Sequence, residues 1–438
     1  MLLYSQNTKL VPTSWTGGSR NIRVRENART VSALAVAHSK ATTYVPPGLS
    51  EVVEPEALKL ATSLRRVPIT IPSMPGSPEI ATAFVGPTAE ELSRYPRNVP
   101  AFVLLPGFDS SCVEFRRLYP LLAAVAPTYA VDLVGCGFSD SSLFLREPSR
   151  TLTPDHKTDH LAAFLRTTLS GAAEGEQQGE GEEGKQQQPA GAVGGAAAVG
   201  QGAAGSAGGP AAADESSSAP GGSSGARSSG GCGGRRVVLV GASLGGAVAV
   251  AFAVAYPQLV HSLVLVDAQG FLQGLGPLPF APRPLLQAGV ALLGSQWLRR
   301  AVNKMAYYDK PRFVTPEAVL LSSLHTQQPG WAEANIAFMR SGGFAVKESI
   351  SKVPQEALVM WGRNDEILDP AFAERFRSTL PYCRRPVAWI ERCGHLPHLE
   401  APEQAAAHIL EFVGLAKEAS TDNNINNRTT EGNEMRGN

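Results

Sequence analysis

Ser243 stands between two glycines, Gly241 and Gly245, in the run VGASLGG. A serine hydroxyl is a poor nucleophile unless a base takes its proton, and that base needs an acid to orient it. Both partners follow in the chain: Asp365 in WGRNDEILDP, then His395 in ERCGHLPHLE. Serine, acid, histidine is the chain order in which a G-x-S-x-G elbow is served. In such a set Ser243 attacks an acyl carbon, His395 carries the proton and Asp365 holds the imidazole. Asp267 is a second candidate acid, whereas Asp369 lies nearer a helix start and reads as an N-cap. His398, closer to the last helix, is expected to pack or hydrogen-bond beneath His395. His156, His160, His261, His325 and His408 have no partner at a useful spacing, so surface or satisfied roles are expected of them. The oxyanion of the reaction needs two amides. Leu244, directly after the serine, offers one. The loop Pro106-Gly107-Phe108-Asp109 offers the other through Phe108, with Gly107 permitting the close approach.

These residues need a scaffold that brings them to one edge. Val237–Val240 is a β-branched run, and the small-residue turn at Ser243 leads into an alanine- and valine-rich helix ending at Pro257. Strand, sharp turn and helix form the context that makes the motif a nucleophile elbow, with the helix N-terminus facing a developing negative charge. Ala101–Leu105, Leu263–Val266 and Ala357–Trp361 are further wholly apolar runs, as expected of strands buried on both faces. Phe108, Asp267 and Asp365 follow their ends, and His395 follows strand Pro386–Ile390. Val67–Ile71 and Ile80–Val85, split by a Pro/Gly turn, suit an antiparallel hairpin. Strand Tyr129–Leu133 and helices at 51–63, 112–124, 154–169, 371–379 and 403–417 complete the alternation. The pattern predicts an α/β fold: a doubly wound, mostly parallel eight-stranded sheet. Residues 271–352 interrupt it with proline-rich turns and helices. They leave from the strand-exit end and would cover Ser243 as a lid.

The remaining segments differ in composition. Residues 1–50 carry Lys9, Arg20, Arg23, Arg25, Arg29 and Lys40 against one acid, Glu26, with many hydroxyl residues and no apolar core. That is the composition of an organelle transit peptide. Residues 171–234 are almost entirely Gly, Ala, Ser, Gln and Glu and are expected to be a disordered insertion into a core of 51–170, 235–270 and 353–417. It precedes the strand of Ser243, at the sheet end away from chemistry. Residues 418–438 read as a polar tail, with a sequon at Asn427. Net charge is zero and charged residues are 18%, so nucleic acid is not the expected partner. Five scattered cysteines argue against a disulfide framework or zinc site. No apolar run is long enough to span a bilayer. The pair Gly135-x-Gly137 lacks the third glycine of a dinucleotide site, and no Walker-type lysine follows a glycine loop.

LLPGF (104–108), DLVGCGFSD (132–140), GASLGG (241–246), WGRND (361–365) and GHLPHLEAPE (394–403) resemble, in order, the sequence blocks of α/β-hydrolase fold proteins, and most closely those of plant and algal plastid members. The resemblance covers 65–170 and 235–417. It implies a serine esterase or lipase-like hydrolase that needs no cofactor and acts on a small apolar ester, such as a prenyl ester or acyl lipid. It also implies a chloroplast location, soluble or peripherally membrane-associated. Acyl transfer, C–C bond hydrolysis and a non-catalytic ligand-binding role stay open as alternatives. Many relatives have His-Gly where this chain has Pro106-Gly107, which keeps the amide donor and removes a side chain. Relatives with an aspartate at the elbow are dehalogenases and epoxide hydrolases, and Ser243 argues against both.

Overall fold

The computed structural model describes residues 40–96, 98–169 and 235–416. Most of the expected leader, the insertion at 171–234 and the tail with Asn427 lie outside the described residues. Nine strands form one sheet: β1 (Thr42–Thr43), β2 (Arg65–Thr70), β3 (Glu79–Val85), β4 (Ala101–Leu105), β5 (Thr128–Val131), β6 (Val237–Ala242), β7 (Val260–Val266), β8 (Glu356–Gly362) and β9 (Ala388–Ile390). Their order is β1-β2-β3-β5-β4-β6-β7-β8-β9. The first three strands and β5 pair antiparallel in sequence across the sheet; from β5 onward every pairing is parallel.

The expectation of eight strands is corrected by β1, a two-residue edge strand in the stretch read as leader. Residues 42–51 belong to the folded unit, because they have apolar and aromatic surface to bury. Leu49 is buried in the core, and the Arg66 guanidinium lies 3.7 Å from the centroid of the Tyr44 ring. The expected boundary at residue 50 lies among residues that pack against the sheet.

Side-chain alternation puts a core on each face of the sheet. Val103, Leu105, Val237 and Leu239 enter one core, together with Leu161, Phe164, Ala247 and Phe252. Phe102, Leu104, Val238 and Val240 enter the other, together with Leu60, Leu122, Leu321 and Ile409. Strands covered on both sides have no polar face to show, which is why β4 and β6 are buried at every position. The covering helices are α1 (Pro55–Thr62), α2 (Tyr119–Ala123), α3 (Pro154–Leu169) and α4 (Leu244–Ala255). Between β7 and β8 the chain adds α5 (Arg283–Leu293), α6 (Gln296–Ala306), α7 (Pro316–Ser323) and α8 (Trp331–Arg340). The helices α9 (Ala371–Thr379) and α10 (Pro402–Phe412) follow. One expected helix, 112–124, is broken into a 3-10 turn at Cys112–Phe115 and then α2. Pro120 is the reason: without an N–H it suits a first helical turn and cannot sit in a helix interior.

Candidate active site

Ser243 joins β6 to α4 with φ 49° and ψ −118°, a region that side-chain-bearing residues rarely adopt. The flanking glycines permit this. A Cβ on Gly241 would lie 2.4 Å from the Gly245 carbonyl oxygen, and one on Gly245 would lie 2.0 Å from that of Leu105. Asp109, Asp267 and Arg392 also have positive φ. They follow β4, β7 and β9, so backbone strain gathers at the strand exits. Strain of this kind costs roughly 1–3 kcal/mol per residue and concentrates where function requires it.

Backbone bonds tie these exits together. Ser243 N–H donates to the Val266 carbonyl (3.0 Å), and Asp267 N–H donates to that of Met360 (3.0 Å). Gly362 N–H donates to Asp267 Oδ1 (3.0 Å). Three residues past Gly362, Asp365 accepts the N–H groups of Ile367 (2.7 Å) and Leu368 (3.0 Å) on Oδ1. Its Oδ2 lies 2.8 Å from His395 Nδ1, and both side chains are buried. A carboxylate fixed on one oxygen and hydrogen-bonded to imidazole on the other sets the direction of the ring.

Asp267, the alternative acid, is buried beside this pair. Its Oδ2 has no hydrogen-bond partner, and the ligand atoms of Asp267, Asp365 and His395 lie within 4.8 Å of one another. Burial, and then the charge of Asp365, push its carboxyl well above the ordinary range. It is Asp365 that makes the bond to the histidine. The same three side chains are the grouping with spacing fit for a metal among the described residues. The Asp365–His395 bond already engages two of those atoms. Asp369 accepts the N–H of Ala371 from one position before the N-cap, which is Pro370 and not Asp369 as expected.

His398 is fully buried with its ring 5.0 Å from that of Phe115, and its Nε2 is 3.6 Å from Glu114 Oε1. Burial, reinforced by the nearby charge on His395, pushes it down to about 3. Glu114 drew no notice in the sequence. Its Oε1 accepts the N–H of Gly107 (3.2 Å), which engages that amide and leaves Phe108 as the loop's candidate donor. Burial pushes the Glu114 carboxyl up to about 7. Gly107 lies directly against the serine: a Cβ there would be 3.4 Å from Ser243 Cβ.

The helices between β7 and β8 close over this edge. Asp109, next to Phe108, receives Arg299 Nη2 (2.5 Å), Trp331 Nε1 (2.7 Å) and His325 Nε2 (3.1 Å). Burial alone would raise the Asp109 carboxyl; the bonds and charges of His325, Arg299 and Trp331 overcome it and hold the group below its ordinary value. His325, expected to be incidental, therefore faces the site. His160 is a satisfied core residue, between Thr82 Oγ1 (2.7 Å) and the Val134 N–H (2.8 Å). The His395 N–H donates to the Ala306 carbonyl (2.7 Å), at the end of α6. Glu400 braces the same place by accepting the N–H groups of Gly394 (2.8 Å) and Asp309 (2.7 Å). Phe108, Leu244, Lys157, Trp331, Asn335 and Phe338 line a narrow cavity beneath these helices. It has space for about one water. A larger cavity opens at the opposite sheet end, among Arg236, His261, Glu356 and Phe412. It contains none of the sequence-predicted site residues.

A doubly wound sheet with a serine elbow and an Asp–His pair at its strand exits defines an α/β hydrolase. The chain belongs to the alpha/beta hydrolase family, whose sequence profile matches residues 102–408. It is 27% identical over 372 residues to the alpha/beta hydrolase domain-containing protein VTE7 of Arabidopsis thaliana, spanning 85% of this chain and 90% of that one. It is 28% identical over 195 residues to the human monoacylglycerol lipase ABHD6, spanning 42% of this chain and just 56% of the lipase. A thermophilic esterase from Thermogutta terrifontis superposes with a TM-score of 0.51 at 18% identity, over 80% of this chain and 98% of its own. That last likeness is one of fold.

Proposed function

We propose that this chain is a serine hydrolase that cleaves carboxylic esters through an acyl-enzyme. The observation that carries the reading is the buried 2.8 Å bond between His395 and Asp365, at the edge where Ser243 is held in strain. In this mechanism Ser243 attacks the ester carbonyl as His395 takes its proton. The imidazolium that forms is stabilised by Asp365, and the Phe108 and Leu244 amides receive the oxyanion. His395 then protonates the leaving alcohol and activates water for deacylation. The scheme uses side chains, two amides and water, and calls on no cofactor.

The substrate class is an apolar, lipid-like or prenyl-like ester. The inserted helices act as a lid in this reading, and they carry an unusual amount of exposed apolar surface. Phe280 is 89% exposed and Trp297 72%, with Leu285, Leu292 and Met305 also exposed. Apolar side chains exposed on the cover fit substrate drawn from, or presented at, a lipid surface. No helix among the described residues is long and apolar enough to cross a membrane, so the contact would be peripheral. The basic, acid-poor N-terminal composition and the plant relative support a plastid location.

Labelling of the full chain with a fluorophosphonate tests the nucleophile. Wild type is expected to label and Ser243→Ala not to; equal labelling of both overturns the assignment. A panel of esters varied separately in acyl and alcohol parts then tests the substrate class, and short water-soluble esters turned over best would contradict it. A reporter fused to residues 1–50 that stayed in the cytosol would remove the plastid assignment.

A further inference from the structure

Among the described residues three cationic side chains are buried: Arg116, Arg299 and Lys157. Arg116 is paired with Glu54 at 2.9 Å, and Arg299 with Asp109. Lys157, 2% exposed and the most deeply buried of the three, has no ion pair among the described residues. Its Nζ donates to the Val134 carbonyl (2.8 Å) and the Cys136 sulfur (2.9 Å), and lies 5.1 Å from the centroid of the Phe338 ring. Neither partner is a carboxylate. An ammonium carries three donors, and two are in use. Its field is felt one turn along α3: burial first, and then the Lys157 charge, push His160 down to about 3.

Burying a cation without a counter-ion is costly, and buried charges are as a rule paired. The place gives the use. Lys157 lines the same cavity as Phe108 and Leu244, the two residues whose amides face the serine in the reading above. The carboxylate on that wall, Asp109, is already held by Arg299 and His325. We propose that Lys157 is the anion subsite of this cavity, selecting amphiphilic esters that carry a carboxylate or phosphate group within reach of the scissile bond. The substrate would supply the missing counter-ion, with Phe338 and Phe108 packing its apolar part; the cavity holds about one water as it stands, so entry requires α8, which carries Trp331, Asn335 and Phe338, to move outward. Specificity for the ester rests on the serine-hydrolase reading; anion binding does not.

The two are therefore separable by experiment. In the full-length Ser243→Ala protein, calorimetry with octanoate, octyl phosphate and octanol measures the subsite without turnover. At least one anion is expected to bind roughly 10- to 100-fold more tightly than octanol, the range of a buried charge-assisted bond. The octanoate and octyl phosphate arms distinguish carboxylate from phosphate. Lys157→Met added to that background should remove the gap, and Lys157→Arg should keep it. Octanol binding as tightly as both anions, or a gap that survives Lys157→Met, overturns the subsite. Should Lys157→Met fail to fold, Lys157→Gln, which removes the charge and keeps a polar end, takes its place in the same comparison. In turnover, the ratio of kcat/KM for mono-p-nitrophenyl glutarate over p-nitrophenyl valerate should be above one and fall at least tenfold in Lys157→Met. An equal loss on both esters would assign Lys157 to the fold or the reaction centre instead. Absence of turnover together with anion-selective binding would remove the hydrolase reading and leave the subsite standing.

Discussion

Two buried aspartates flank the serine elbow, and they are held in opposite ways. Asp365 takes two backbone N–H groups from residues two and three positions on, and its histidine stands on the adjacent strand exit. Asp109 has its three side-chain partners at positions 299, 325 and 331, all on or between the inserted helices. The first cluster is assembled by the sheet and the second by whatever sits above it. The difference teaches that chemistry and cover are built separately in this fold, and that Asp109 is where they meet.

Substitutions can break that division. Asp365→Asn keeps the shape but presents the wrong hydrogen-bonding pattern to His395, and should lower kcat by about 10⁴-fold. A melting temperature close to wild type would show that the loss is chemical. Asp109→Asn should act mainly on stability. It leaves Arg299 buried beside a neutral group, at a cost of about 3–5 kcal/mol by denaturant unfolding. Comparable kinetic damage in folded Asp109→Asn would dissolve the distinction between the clusters. Asp267→Asn tests which carboxyl serves His395. Because the bond to His395 Nδ1 is made by Asp365, kcat should fall by less than about tenfold, far short of the Asp365→Asn loss; an equal fall would transfer the acid role to Asp267.

The smallest effects lie in pH dependence, where the signs differ. Asp109 has a depressed folded value, so its stabilisation is present above the ordinary carboxylate range and lost as pH falls through that lower value. Glu114 is raised from 4.5 to about 7. Its contribution is therefore full below about pH 4.5 and disappears as pH rises through about 7. Unfolding free energy measured between pH 5 and 8 should fall less steeply in Glu114→Gln than in wild type. Slopes that are the same would show that Glu114 does not titrate in this window.

The same contrast explains what could be read from the chain alone. Ser243, Asp365 and His395 each sit just past an apolar run, so their common edge follows from the alternation of strands and helices. Bounds were recovered for β4, α3 and α9 because periodicity and proline or polar flanks delimit them. The partners of Asp109 were not legible: Arg299 and Trp331 belong to an irregular block whose seating depends on tertiary packing. Glu114 was hidden within an apparent helix that Pro120 splits. Lys157 lies at a helix position that, by sequence, suits a solvated lysine as well as a buried one. The short strand β1 lacks the length from which a period could be read.

One backbone bond places a seam in the cover. Ala306, the last residue of α6, accepts from the amide of His395, and Glu400 clamps the residues that follow. Residues 271–305 can be exchanged as a cassette provided that Arg299 is kept for Asp109, whereas 306–309 are part of the histidine loop and must travel with it. A chimera spliced before Ala306 should keep fluorophosphonate labelling while changing ester preference; one spliced after Asp309 should lose both. Hydrogen exchange at the His395 amide reads the same seam, remaining slow for as long as the loop stays docked.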